Sequence, residues 1–172
     1  MPIELWDEIV GVGARSHYVA PALAAPMLIR TGGGLIANIS SSGATQYAQN
    51  VLYGIGKAAV DKMTADTALE LADHAVAVIS TWPGWVRTEL IEAAVPKDDD
   101  ANAFVDFEGA RISLSSVESP RFAGRAVVAL AADDDTRMTR CGTAVTTEAV
   151  VAAYGQRHDR LQVVQNAVHE VV

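Results

Sequence analysis

Two short apolar runs bracket one long helical pattern, and that arrangement constrains the fold more than any other feature of the chain. The runs Leu35-Ile36-Ala37-Asn38-Ile39-Ser40 and Ala75-Val76-Ala77-Val78-Ile79-Ser80 are each bounded by turn-forming residues. Apolar runs of this length read as strands buried on both faces. Between them, from about Val51 to Ala72, residues Ala58, Ala59, Met63, Ala65, Ala68 and Leu69 supply a small-residue helical face. Strand, crossover helix and strand imply parallel pairing. A third run, Gly142 to Thr147, followed by a helical pattern from about Glu148 to Tyr154, extends the alternation. The expected fold is an α/β parallel sheet with helices on both faces.

The remaining segments fit around that sheet. Ile3 to Arg30 carries helical spacing, with Pro21 predicting a kink or an early end because proline removes a helix hydrogen bond. A short helix is expected near Glu89 to Ala94, then an acidic, irregular stretch from Pro96 to Gly109. Ser119-Pro120 opens a further helix, with serine as cap and proline at the first position, running to Asp133. The tail Gln156 to Val172 has the pattern of an amphipathic helix. A net charge of -8 over 172 residues argues against nucleic acid and anionic membranes as partners. No apolar stretch reaches the roughly 18 residues of a membrane span, and the start lacks a signal-peptide pattern. The expectation is a soluble cytoplasmic protein. Cys141 is the single cysteine, which excludes an internal disulfide.

In sheets of this kind ligands bind beyond the carboxyl ends of the strands. That rule points to Ser40-Ser41-Ser42 after the first strand and Trp82-Pro83-Gly84 after the second. Tyr53 and Lys57 lie four apart at the start of the long helix, hence on one face. A phenol exchanges protons poorly near neutral pH, whereas a neighbouring ammonium and a helix N-terminus both favour the phenolate. Tyr53 is therefore a candidate general acid/base, and the serine cluster can hold a carbonyl oxygen. Against this stands a plain surface pair, but the chain has only four tyrosines and three lysines to place at that spacing. His17, His74, His158 and His169 are scattered without metal-ligand spacing, and Asp98-Asp99-Asp100 and Asp133-Asp134-Asp135 read as solvated charges.

The run Gly34 to Gly43, then Tyr53-Gly-Ile-Gly-Lys57, then Trp82-Pro83-Gly84-Trp-Val86-Arg-Thr88 resembles the short-chain dehydrogenase/reductase family. The likeness extends from Trp6-Asp7 to about Tyr154-Gly155, and Glu118 to Arg125 resembles the subgroup of dehydrogenase/reductase member one. The resemblance implies a Rossmann-like doubly wound sheet and an oxidoreductase that uses NAD or NADP on a small carbonyl or alcohol substrate. It implies Tyr53 as the proton-exchanging residue and also a cofactor-binding one, and Lys57 as its partner and the ligand of the nicotinamide ribose. Ser41 would hold the substrate carbonyl; a loop one residue shorter than the family's leaves Ser40 as a competing assignment. Pro83, Gly84, Val86 and Thr88 match the segment that lines the nicotinamide and pyrophosphate, and 96–109 falls where the family has a substrate lid. No metal is implied.

Two departures accompany the resemblance. The family's relay Asn is replaced by Gly13, and the initial strand with its Gly-rich turn has no counterpart. Gly11-Val-Gly13-Ala-Arg-Ser16 lies in a helical pattern and reads as helix packing, and Gly54-Ile-Gly56 lacks phosphate-loop spacing. The chain thus reads as the C-terminal part of such a domain over 1–155, lacking the first βαβ units, with a tail over 156–172. The strand Leu35 to Ser40 should then have an open apolar edge. Two functions follow from this reading: an N-terminally truncated NAD(P)-dependent oxidoreductase, or a catalytically inactive assembly module. The family's subunit contacts imply a homo-oligomer through the 51–72 and 3–30 helices.

Overall fold

The computed structural model describes residues 3–94, 104–107, 110–113 and 116–155. A π-type turn over Asp7–Val12 leads into helix α1, Gly13–Arg30, and strand β1 follows over Gly34–Ile39. Helix α2 spans Val51–Glu70, strand β2 Val76–Trp82 and the short helix α3 Glu89–Ala94. Strands β3, Phe104–Phe107, and β4, Ala110–Ser113, form a hairpin. Helices α4, Pro120–Ala132, and α5, Asp134–Thr139, precede strand β5, Ala144–Thr146, and helix α6, Thr147–Gly155.

Strands β1, β2 and β5 form one parallel sheet in the order β1-β2-β5. The central strand explains the layers. Alternate residues of a strand point to opposite faces, and β2 is buried on both. Val76 and Val78 pack with Ile36, Ala68 and Leu71 beneath Leu28 and Ile29 of α1. Ala77 and Ile79 pack on the other face with Ala126, Ala129 and Leu130 of α4 and Val150 and Tyr154 of α6. Among the described residues β1 pairs only with β2, so its outer edge is open and Ile39 is exposed.

Gly33 makes the turn into this sheet. Its φ is +133°, and a Cβ there would lie 2.6 Å from the carbonyl oxygen of Ala75. Only glycine meets both conditions without strain.

Three expectations are corrected. Helix α1 does not end at Pro21 but runs through Pro21 and Pro26 to Arg30. Proline's fixed φ is itself helical, and the packing of α1 on α2 and β1 compensates for the missing hydrogen bonds. The stretch 96–109 is not wholly irregular, since β3 lies within it and pairs antiparallel with β4. The acidic residues nearby obscured the strand pattern of Phe104-Val105-Asp106-Phe107, and the guanidinium of Arg111 stands 4.6 Å from the ring centre of Phe104. The third strand is shorter than expected, three residues in register with Ser80, Thr81 and Trp82. The tail 156–172 and all of 95–103 lie outside the described residues.

Candidate active site

The carboxyl end of β1 delivers Ser40 and Ser41 to different places. Successive residues of an extended chain face opposite ways. Ser40 is buried, and its Oγ donates to the backbone carbonyl of Lys57 at 3.2 Å. Ser41 caps the tight turn Ser42–Ala44, accepting from the Gly43 amide at 3.2 Å, and its Oγ lies 2.9 Å from the Tyr53 hydroxyl. The two competing serines are thus separated by geometry. Ser41 meets the phenol and Ser40 anchors the helix.

Tyr53 owes its place to the start of α2. Asn50 is the N-cap, accepting from the Tyr53 amide at 3.0 Å. Such caps fix where a helix begins, and here that sets Tyr53 in the first turn, facing the end of β1. Lys57 follows one turn later; its Nζ donates to the Ile39 carbonyl at 3.3 Å and stands 5.6 Å from the Tyr53 ring centre. Asp61 continues the same row after another turn. It accepts from Ser80 Oγ at 2.6 Å and from Trp82 Nε1 at 3.3 Å, tying α2 to the end of β2. Burial lowers the Lys57 pKa from its usual 10.5, and the Asp61 charge opposes that shift.

The segment carrying Pro83, Gly84, Val86 and Thr88 leaves the carboxyl end of β2, beside the serine turn. Its bonds run toward Glu118 rather than toward Tyr53. The Gly84 amide donates to Glu118 Oε1 at 3.1 Å, and Val86 pairs with Glu118 in an isolated parallel bridge. Thr88 bonds back to Val86 and accepts from Glu92 as α3 begins. Serine, tyrosine and lysine therefore form one cluster, whereas the Pro83-to-Thr88 segment is bonded to Glu118 and the start of α3.

Gly13 lies at the first position of α1, where its carbonyl accepts from His17 Nδ1 at 2.6 Å. Gly11 and Gly13 sit in helical turns rather than after a strand. Cys141 is half-buried beside β2, its sulfur accepting from the Val78 amide. Among the described residues there is no group of three or more His, Cys, Asp or Glu placed to hold a metal. Nor is any described helix long and apolar enough to cross a membrane.

Four contributing residues escape the sequence reading. Asn50 and Asp61 had usable signals, an asparagine three before Tyr53 and a carboxylate four after Lys57. Gly43 had none because its contact with the Tyr53 ring depends on how the serine turn folds, and Glu118 had none because its partners are distant in sequence.

The pattern of the short chain dehydrogenase family matches residues 1–99. The dehydrogenase/reductase SDR family member 1 of Mus musculus is 42% identical over 133 residues, covering 77% of this chain and 42% of that protein. Its counterpart in Homo sapiens is 43% identical over 132 residues, with the same coverages of 77% and 42%. The chain therefore spans less than half the length of these two relatives. The crystal structure of acetoin dehydrogenase from Enterobacter cloacae superposes with a TM-score of 0.66 at 24% identity, covering 85% of this chain and 54% of that one.

Proposed function

This chain belongs to the short-chain dehydrogenase/reductase family, and we propose that its Ser41, Tyr53 and Lys57 carry out NAD(P)-dependent hydride transfer to or from a small carbonyl or alcohol. The observation that carries the proposal is the 2.9 Å contact between Ser41 Oγ and the Tyr53 hydroxyl, with Lys57 one turn along. Two hydroxyls at that separation can both reach one substrate oxygen.

In the reductive direction Tyr53 gives its phenolic proton to the substrate oxygen, and in the oxidative direction it takes that proton back. Ser41 donates a hydrogen bond to the same oxygen and orients the carbonyl. Lys57 supports the phenolate electrostatically. The bound dinucleotide supplies the hydride.

The donor set at this place suits a dinucleotide's nicotinamide end. The Lys57 ammonium has three donors, and among the described residues it donates to the Ile39 carbonyl, leaving donors for ribose hydroxyls. On this reading the ring lies toward Pro83, Gly84, Val86 and Thr88, which follow β2 at the same end of the sheet as the serine turn. Gly11 to Ser16 offers no phosphate seat, since it lies in helix. The test is dinucleotide-dependent turnover across a panel of small ketones, aldehydes and alcohols with both cofactors. Consumption of either cofactor with any member supports the reading; silence across the panel opposes it.

Asp61→Asn provides a pH test. Removing the carboxylate removes the influence that raises the Lys57 pKa, so burial acts unopposed and Lys57 loses its proton at lower pH. Activity that needs the ammonium should therefore fall off at lower pH on the alkaline side than in the parent. An unshifted alkaline limb would detach Lys57 from the reaction.

A second observation favours assembly as well as catalysis. Trp6 and Tyr18 are 47% and 66% exposed. They border a groove of about 410 Å³ with Val10 and Ala14 against Ala59 and Met63 of α2. We propose that this face joins copies of the chain into a homo-oligomer, because large exposed apolar groups beside small ones suit close helix packing. Ala59→Glu places a charge in that face and should convert the oligomer to monomer in sedimentation velocity. A monomeric parent would refute this arrangement.

A further inference from the structure

We propose that Glu118 is a positioning residue, a carboxylate latch that fixes the Gly84 segment across the carboxyl ends of β2 and β5. This deepens the oxidoreductase reading, since the latch acts on the segment proposed to line the nicotinamide.

The geometry is specific. Strands β2 and β5 lie side by side with Trp82 opposite Thr146. Gly84 comes two residues after the first of these and Thr147 one residue after the second, so both emerge at the same end of the sheet. The Glu118 side chain sits between them. Its Oε1 accepts from the Gly84 amide at 3.1 Å, and both carboxylate oxygens lie 2.8 Å from the hydroxyl of Thr147, a residue only 1% exposed. The backbone of the same residue reinforces the link. The Glu118 amide donates to the Trp85 carbonyl at 2.6 Å, and the Arg87 amide donates to the Glu118 carbonyl at 2.8 Å. One residue thus holds Gly84, Trp85 and Arg87 at once.

The fit is also close. A Cβ at Gly84 would stand 3.0 Å from Glu118 Oε1 and 3.4 Å from its Cδ. A side chain at Gly84 would press the carboxylate back by a few tenths of an ångström from the amide. Without the latch, the segment after Trp82 would keep its chain connections but lose its tether to α6. The backbone bonds of residue 118 to Trp85 and Arg87 would remain, but the position of Gly84 would vary, and cofactor contacts made there would weaken while the Tyr53 proton step stayed intact.

Three variants separate these effects, measured by amide hydrogen exchange over 82–88 and by NADH and NADPH affinity. Glu118→Ala should speed exchange over 82–88 and weaken cofactor binding about tenfold, as expected for losing charge-assisted hydrogen bonds. Its single-turnover rate at saturating cofactor should stay within about twofold of the parent. Glu118→Gln should restore both properties, because the amide oxygen still accepts from Gly84 and its NH₂ can donate to Thr147. Thr147→Val keeps the Gly84 bond but frees the far end, and should give an intermediate exchange rate even if Glu118→Ala folds poorly. Unchanged exchange in both Glu118→Ala and Thr147→Val overturns the latch. A parent that binds neither cofactor overturns the oxidoreductase reading instead, and exchange alone then decides the latch.

Discussion

Tyr53→Phe should lower dinucleotide-dependent turnover by about 10³, the scale of a lost general acid/base, while leaving cofactor affinity near the parental value. The substitution removes one oxygen and leaves the ring in place against Gly43. The hydroxyl's partner is Ser41 Oγ at 2.9 Å, itself already bonded to the Gly43 amide. Stability should therefore fall by only about 1 kcal/mol, the usual net worth of one hydrogen bond. The check is turnover and cofactor titration on the same preparation, with thermal unfolding alongside. A Phe variant that turns over like the parent removes Tyr53 from the chemistry.

Gly43→Ala should cost about 10² in turnover through misplacement alone, without touching a reacting atom. Gly43 is buried in the serine turn, and a Cβ there would lie 2.6 Å from Cε1 and 3.0 Å from Cδ1 of the Tyr53 ring. The ring must shift, and the hydroxyl at its far end moves away from Ser41. Overpacking of this kind also destabilises by about 1–3 kcal/mol. Gly56→Ala is the matched control. Gly56 sits inside α2, and a Cβ there meets nothing within 4 Å, so alanine should raise stability by about 0.5–1 kcal/mol with turnover unchanged. If both glycine variants behave alike, the packing of Tyr53 on Gly43 does not set its position.

What could be read from the chain follows the range of the interactions. The Tyr53-Lys57 pair was legible because helical spacing is local, and β2 because unbroken apolar residues need two buried faces. The choice between Ser40 and Ser41 was not. Adjacent residues differ only in which way they face, and that depends on the register of β1 against β2 and on where Asn50 starts α2. The role of Glu118 left no local mark, since its partners Gly84 and Thr147 lie 34 and 29 residues away. The persistence of α1 through Pro21 was hidden for the opposite reason, because a strong local rule yielded to packing against α2 and β1. The hairpin Phe104 to Ser113 was masked by acidic neighbours that dominate composition but not its pairing.

On the proposed reading Tyr53 and Ser41 serve a hydride transfer between a nicotinamide and a carbonyl carbon. The protein is supplied with reduced dinucleotide deuterated at both C4 positions, together with the ketone and aldehyde panel, and the alcohol formed is weighed. One deuterium on the carbinol carbon of the product, with the parent active and Tyr53→Phe nearly silent, is the predicted result. Alcohol formed without the label, or no alcohol from any carbonyl with either cofactor, would contradict it.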